Sequence, residues 1–288
     1  MITNDDKPCL HFLDKHLQET VHPILINLIG IGGTGNHVLR FLADMNAALN
    51  CLGHPGFVVR AFDDDRITNY NLGRQRFAWA EIGELKAEAL INRINRFYGT
   101  YWQAMLYPYS SETEEKLEPF LSAPITISCV DNIPSRFDIE GILSRAVTQF
   151  KPNAREKPTY WIDFGNKQHT GQVVLSTLQT IEQPTSKLYQ PLGKLPPLTD
   201  EFRTTLSTMK NNTGPSCSMR EALLRQSLFI NPSLAVLGCN LLWTLLTEGM
   251  TAYRGFFFNL KSYKVAPIPV NHLHQTKRLP AINVPAAA

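Results

Sequence analysis

The sequence has five cysteines, an odd number, at Cys9, Cys51, Cys129, Cys217 and Cys239, and no two stand in a CxxC pair. That excludes a four-cysteine zinc site and argues against a secreted disulfide framework, so zinc is not expected. Charge of one sign is lacking too: 28 Lys and Arg against 25 Asp and Glu leave a net +3 over 288 residues. Global charge therefore argues for neither nucleic acid nor a membrane surface, and nucleic acid is not an expected partner. Long hydrophobic runs are missing. The most apolar long stretch, Leu234 to Leu246, contains Asn240 and Thr244 and is too short to span a bilayer. The first residues, Met1 to Cys9, are polar and carry Asp5 and Asp6, unlike a signal peptide. No internal repeat or low-complexity segment is present, and the 17 Gly and 19 Pro follow no collagen-like period. These absences leave a soluble cytoplasmic protein with reduced thiols as the expectation. What the chain does have is 43% hydrophobic and 18% charged residues, enough for a sizeable core in one large domain or two small ones.

Hydrophobic patterning places the elements. Ile24 to Ile29 (ILINLI) is a continuous apolar run ending at Gly30, as in a strand buried on both faces of a parallel sheet. A helical pattern follows with Val38, Leu39, Leu42, Met45 and Leu49, then a turn at Gly53 to Gly56 and a second strand, Phe57 to Phe62. This is a βαβ unit with its glycines at the first strand-to-helix turn. A helix is expected over Glu84 to Phe97, stopped by Gly99, and core strands over Ile125 to Val130, Tyr160 to Phe164 and Gln172 to Leu178. From Glu182 to Asn212 the pattern becomes irregular and rich in proline. Two helices are expected beyond it. One covers Met219 to Phe229; the other covers Pro232 to Glu248, with Asn231 as N-cap and Gly249 as C-cap. Gly255 to Pro267 reads as an aromatic-rich hairpin and His274 to Ala288 as a frayed tail. The fold class is α/β: a Rossmann-like, mostly parallel sheet flanked by helices, with a C-terminal β-hairpin.

Chemistry concentrates near the glycines. Gly30, Gly32 and Gly35 satisfy G-x-G-x-x-G, with Gly33 as an extra glycine. Without Cβ atoms they let a phosphate approach the backbone, and the helix N-terminus behind them favours anions. Asp63, 28 residues beyond Gly35, stands at the end of the second strand, where a carboxylate accepts hydrogen bonds from ribose hydroxyls. A dinucleotide dehydrogenase shares both features. The string Asp63-Asp64-Asp65-Arg66-Ile67-Thr68-Asn69-Tyr70-Asn71-Leu72-Gly73-Arg74-Gln75, followed by Ile82-Gly83-Glu84-Leu85-Lys86, separates the cases. Hydride transfer has no need of Arg74 and Lys86 beside the phosphates, whereas cleavage of ATP does, because charge builds on the α-phosphate and the leaving pyrophosphate. Asp131-Asn132, with Arg136 four residues beyond Asn132, sits at the carboxyl end of a strand, where ligands bind in such sheets. A carboxylate there suits Mg²⁺, a hard cation; Asp131 also reads as a helix cap.

The glycine loop, the D-x-D-x-(I/V)-x-x-x-N-L-x-R-Q string and the I-G-x-x-K together resemble the ThiF/MoeB and ubiquitin-activating enzyme superfamily over residues 24 to about 136. The segments Pro215-Ser216-Cys217-Ser218, Glu221-Ala222-Leu223 and Gln226 to Asn231 make the chain most similar to the ThiF-family proteins of bacterial PRTRC gene systems. The resemblance implies an adenylating enzyme. ATP would lie on Gly30, Gly32, Gly33 and Gly35, with Asp63, Asp65, Asn71, Arg74, Gln75, Lys86 and Asn132 around it. Asp131 would hold Mg²⁺, and Arg74, Lys86, Asp131 and Cys217 would be catalytic. It also implies a small ubiquitin-like (β-grasp) protein as partner, presenting its C-terminus, and a homodimer. Pro215-Ser216-Cys217-Ser218 is similar to the P-x-C-T segment around the thioester cysteine of ubiquitin-activating enzymes. A cysteine at a helix N-terminus has its pKa lowered by the dipole. Cys129 and Cys239 lie in apolar patterns and read as core.

Two departures from the family stand out. The zinc site of two CxxC pairs common among MoeB- and ThiF-like proteins is absent. The arginine that their N-terminal region supplies to a partner subunit has no counterpart before Arg40, Lys15 being the nearest substitute. The expected layout is an N-terminal segment 1–23, one adenylation domain 24–273 and a flexible tail 274–288. Within the domain, the nucleotide core is 24–136 and the crossover with its cysteine loop about 182–218. Three alternatives remain at this point: adenylation of a small molecule, peptide or tRNA base on the same fold, a NAD-dependent oxidoreductase, and a non-catalytic module that binds a ubiquitin-like protein.

Overall fold

The computed structural model describes residues 7–73, 75–151, 154–201 and 226–271. In chain order the strands are β1 (Cys9–Phe12), β2 (Ile24–Ile29), β3 (Phe57–Phe62), β4 (Gln103–Met105), β5 (Ile125–Ser128), β6 (Tyr160–Asn166), β7 (Thr170–Thr177), β8 (Gln190–Pro191), β9 (Met250–Thr251), β10 (Tyr253–Asn259) and β11 (Lys264–Pro269). The helices are α1 (Lys15–Gln18), α2 (Gly33–Cys51), α3 (Lys86–Tyr98), α4 (Glu114–Leu117), α5 (Ile133–Gln149), α6 (Leu198–Glu201) and α7 (Ile230–Glu248).

Eight strands form one sheet in the order β11-β10-β7-β6-β5-β2-β3-β4. From β4 to β6 the pairing is parallel, and from β6 to β11 it is antiparallel. This is the Rossmann-like, mostly parallel sheet the patterning predicts, with β10 and β11 as its hairpin. All six residues of β2 are buried, which is why its sequence does not alternate. Two apolar layers enclose the sheet. Ile26, Leu28 and Val59 pack with α2, α3 and α7 residues such as Leu39, Ile91 and Leu242. On the opposite face Ile29, Phe62 and Trp161 pack with Ile139, Ile142 and Leu143 of α5. A small second sheet, β8-β1-β9, joins the N-terminal strand to distant parts of the chain. Its tie to the main sheet is the buried His11, whose Nδ1 lies 2.6 Å from the Leu192 carbonyl and whose Nε2 lies 2.9 Å from the Tyr160 hydroxyl. Burial lowers the His11 pKa. The neutral ring matches this geometry, with Nδ1–H donating to Leu192 and the Tyr160 hydroxyl donating to Nε2.

Four expectations need correction. The third core strand ends at Ser128 instead of Val130, although Cys129 N–H still donates to the Ile29 carbonyl of β2. The last helix begins at Ile230, with Phe229 as N-cap instead of Asn231. Pro232 is tolerated there because the first-turn N–H groups of a helix have no intrahelical acceptor. The helix is also longer than the apolar stretch suggested. Among the described residues it is the one helix long and apolar enough to cross a bilayer, yet Leu234, Leu242 and Leu245 are buried in the core. Finally, Gln226 to Phe229 form a turn instead of the end of a helix; the rest of the helix expected over Met219 to Phe229 lies outside the described residues.

Candidate nucleotide site

The strand order reverses at β2: the chain steps to β3 and β4 on one side, then returns to β5 on the other. Ligands bind outside the carboxyl ends of strands at such a switch point. Both neighbours stay tied to the end of β2, through Gly30 N–H to the Phe62 carbonyl at 2.9 Å and Cys129 N–H to the Ile29 carbonyl at 2.8 Å. Gly30, Gly32, Gly33 and Gly35 make the turn there, and α2 rises from it. Gly35 has no room for a side chain, since a Cβ would lie 1.8 Å from the Gly30 carbonyl oxygen. The N-cap of α2 is Gly32, which has no side chain to accept from the first-turn N–H groups. Among the described residues, the positive end of this 19-residue helix is thus left without a side-chain cap at the switch point.

Asp63, just past β3, faces this loop. Its Oδ2 accepts from Ile31 N–H at 2.6 Å and its Oδ1 from Asp65 N–H at 3.1 Å. Burial raises its pKa to about 6, against the lowering influence of Lys86. Lys86 reaches the site because Asp65 to Ile67 pair with Gly83 to Lys86. Ile67 N–H donates to the Glu84 carbonyl, Gly83 N–H to the Ile67 carbonyl and Lys86 N–H to the Asp65 carbonyl, each at 2.9 Å. The two halves of the sequence motif are therefore one folded unit. The buried Lys86 ammonium sits 2.5 Å from Asp65 Oδ2, whose carboxylate is largely in solvent. Asn71 closes the turn between them, its Oδ1 accepting from Thr68 N–H at 2.8 Å. Gln75 is buried, and its Oε1 has no hydrogen-bond partner among the described residues. Arg74 and Cys217 lie outside the described residues.

From the other side of β2, the β5–α5 turn presents Asp131 as an exposed carboxylate. The cap of α5 is Asn132 instead of Asp131: its side chain accepts from Ser135 N–H at 2.8 Å. Asn132 Nδ2 also lies 3.4 Å from Asp131 Oδ1. A residue outside every sequence motif holds this turn. Asp163, buried in β6, pairs with the buried Arg136 at 3.0 Å and accepts from Ser128 Oγ at 2.6 Å. Arg136 in turn donates to the carbonyls of Val130 at 2.7 Å and Phe164 at 3.1 Å. The signal was a lone acid inside the apolar run YWIDF, because a buried charge must be paired. Cys129 and Cys239 are raised by burial, Cys239 to about 12, so neither is a ready nucleophile. Lys15 lies on α1, its ammonium 3.9 Å from Glu19.

Among the described residues no cluster of three or more His, Cys, Asp or Glu is placed to hold a metal ion by itself. Asp131 nonetheless fits Mg²⁺, which is usually held by one or two carboxylates together with phosphate oxygens of the substrate.

The ThiF family profile matches residues 7–278. The chain belongs to the ThiF family. Among solved structures, E. coli MccB bound to ATP is 16% identical, with a TM-score of 0.53 over 88% of this chain and 66% of that one. MccB with selenomethionine MccA aligns at 15% identity and a TM-score of 0.55. PaaA aligns at 12% identity and a TM-score of 0.56 over 88% of this chain and 75% of its own. This ThiF-family chain spans about two thirds of the length of the MccB chains it matches. No curated protein matches in sequence.

Proposed function

We propose that this chain is an adenylyltransferase that uses ATP and Mg²⁺ to activate the C-terminal carboxylate of a protein or peptide, with a small ubiquitin-like protein as the substrate class. The observation that carries the reading is the convergence on one sheet edge of an uncapped helix N-terminus, the Asp63–Lys86–Asp65 group and the Asp131 carboxylate. MccB, which shares the fold, has been crystallised with ATP and with MccA, which supports placing a nucleotide at this edge.

In this reading the N–H groups of Gly33 to Gly35 bind phosphate and Asp63 accepts from the ribose. Asp131 would hold Mg²⁺, which when bound neutralises charge on the phosphates. The attacking carboxylate is already ionised at neutral pH, so no general base is needed. Its oxygen bonds to the α-phosphorus as the bond from that phosphorus to the bridging oxygen breaks. Pyrophosphate leaves with the electron pair. Lys86 stabilises charge in the transition state, and the rest is in-line positioning. In a second step the Cys217 thiolate attacks the acyl carbon and displaces AMP, leaving a thioester.

The test is ATP–pyrophosphate exchange with the small ubiquitin-like protein of a PRTRC system as substrate. Wild type is expected to exchange, and Asp131→Ala to lose roughly 10²-fold or more; absence of exchange by wild type, or full activity of the variant, overturns the reading. Cys217→Ala is expected to keep exchange while losing a thiol-labile covalent adduct, seen by mass spectrometry of the intact protein. If wild type forms no such adduct, the second step is discarded.

A further inference from the structure

The amide of Asn231 contacts three separate parts of the chain. It is 2% exposed, on the first turn of α7. Its Oδ1 accepts from Thr34 Oγ at 3.0 Å and from Asn166 Nδ2 at 2.6 Å, filling both lone pairs. Its Nδ2 donates to Gln226 Oε1 at 3.5 Å, and Gln226 Nε2 reaches Asn166 Oδ1 at 3.4 Å. The ring therefore joins the first turn of α2, the carboxyl end of β6 and the chain entering α7. The approach to α2 is close enough that a Cβ on Gly33 would lie 2.5 Å from Asn231 Nδ2.

This matters because, among the described residues, no side chain caps that first turn. Gly32 offers no cap, so among the described residues no side chain holds the N–H groups of Gly33 to Gly35 from the front. They are held from the side, through Thr34. We infer that Asn231 is a positioning residue for nucleotide binding: it holds the first turn of α2, through the Thr34 hydroxyl, in the orientation that aims its N–H groups at phosphate. The inference rests on the reading of this edge as a nucleotide site. Asn231 does not touch the phosphates; it sets the angle of the donors that do. Small misplacements of such donors are costly.

Calorimetric titration with AMPCPP and Mg²⁺ tests this on the full chain, with wild type, Asn231→Ala, Thr34→Val, Thr34→Ser and the Asn231→Ala/Thr34→Val double variant. Asn231→Ala and Thr34→Val are each expected to weaken AMPCPP binding about tenfold, and the double variant no further, because both break one link. Thr34→Ser keeps the hydroxyl and is expected to stay within about twofold of wild type. In exchange assays the KM for ATP is expected to rise while kcat at saturating ATP stays within about threefold, a split that general loss of folded protein does not produce. Thr34→Val conserves volume, so the inference remains testable even if Asn231→Ala folds poorly. Wild-type affinity in Asn231→Ala and Thr34→Val, or effects that simply add in the double variant, would overturn the inference and leave the nucleotide reading intact. Failure of wild type itself to bind AMPCPP would overturn both.

Discussion

Lys86→Met is expected to lower the rate of ATP–pyrophosphate exchange by roughly 10²–10³-fold, the usual loss when one preorganised charge partner of a transition state is removed. Methionine keeps the buried aliphatic stem and removes only the ammonium. Asp65, the direct partner, is largely in solvent, so its loss of a partner costs the fold little. Asp63 is different. Its carboxyl already sits at about 6 because burial outweighs the help from Lys86. Removing the ammonium pushes it further up. The sign follows from the direction of the shift. If Asp63 accepts ribose hydroxyls as proposed, its protonation removes that charge, so ATP binding in wild type is expected to weaken as pH falls through about 6. In Lys86→Met the same weakening begins at higher pH. Folding stability moves the other way. A carboxyl raised above its ordinary value of 3.8 costs stability when ionised, so its own contribution improves as pH falls from neutrality through about 6 towards 3.8. A pH profile of KM for ATP in both proteins checks the shift. An acid limb that stays in place in Lys86→Met contradicts the assignment.

Asp163→Ala is expected to be strongly destabilising. It leaves Arg136, 6% exposed, as an unpaired buried charge, at a cost of about 3–5 kcal/mol. The melting temperature should fall by roughly 10 °C. It also strips Ser128 Oγ of its acceptor and frees the guanidinium that grips the Val130 and Phe164 carbonyls. Those contacts fix the turn that carries Asp131, so exchange activity should fall more than the folded fraction does at the assay temperature. Thermal unfolding followed by circular dichroism, paired with exchange measured well below the transition, separates the two effects. A variant with wild-type melting temperature contradicts the role given to the pair.

Much of this was legible in the sequence where one short segment carries one cause. The unbroken apolar run of β2, the Gly99 that stops α3 in the left-handed conformation, and the glycine turn each state their structure locally. So does the motif from Asp63 to Lys86, since its two halves pair with each other within 24 residues. Helix α5 was also written there. Asn132 is its cap, Pro134 lies in its first turn, and Ile139, Ile142, Leu143 and Ala146 recur at helical spacing. The cap expected at Asp131 falls one residue later, on Asn132. What no local pattern conveys is the set of contacts between distant segments. β1 is four residues whose partners, β8 and β9, lie about 180 and 240 positions away. Asn231 looked like a helix cap because Asn before Pro usually is one. Its side chain instead bonds Thr34, 197 residues earlier, a tertiary contact that outweighs the capping preference.

The proposed chemistry at this edge of the sheet is transfer of AMP to a carboxylate. The most direct measurement incubates the full chain with Mg²⁺, ATP labelled at the α-phosphate and the small ubiquitin-like protein of a PRTRC system, then follows the label. Label is expected on the ubiquitin-like protein as a hydroxylamine-labile acyl adenylate, lost when its C-terminal residue is removed and abolished by Asp131→Ala. Bound ATP that never yields labelled ubiquitin-like protein, with no pyrophosphate released, would contradict it.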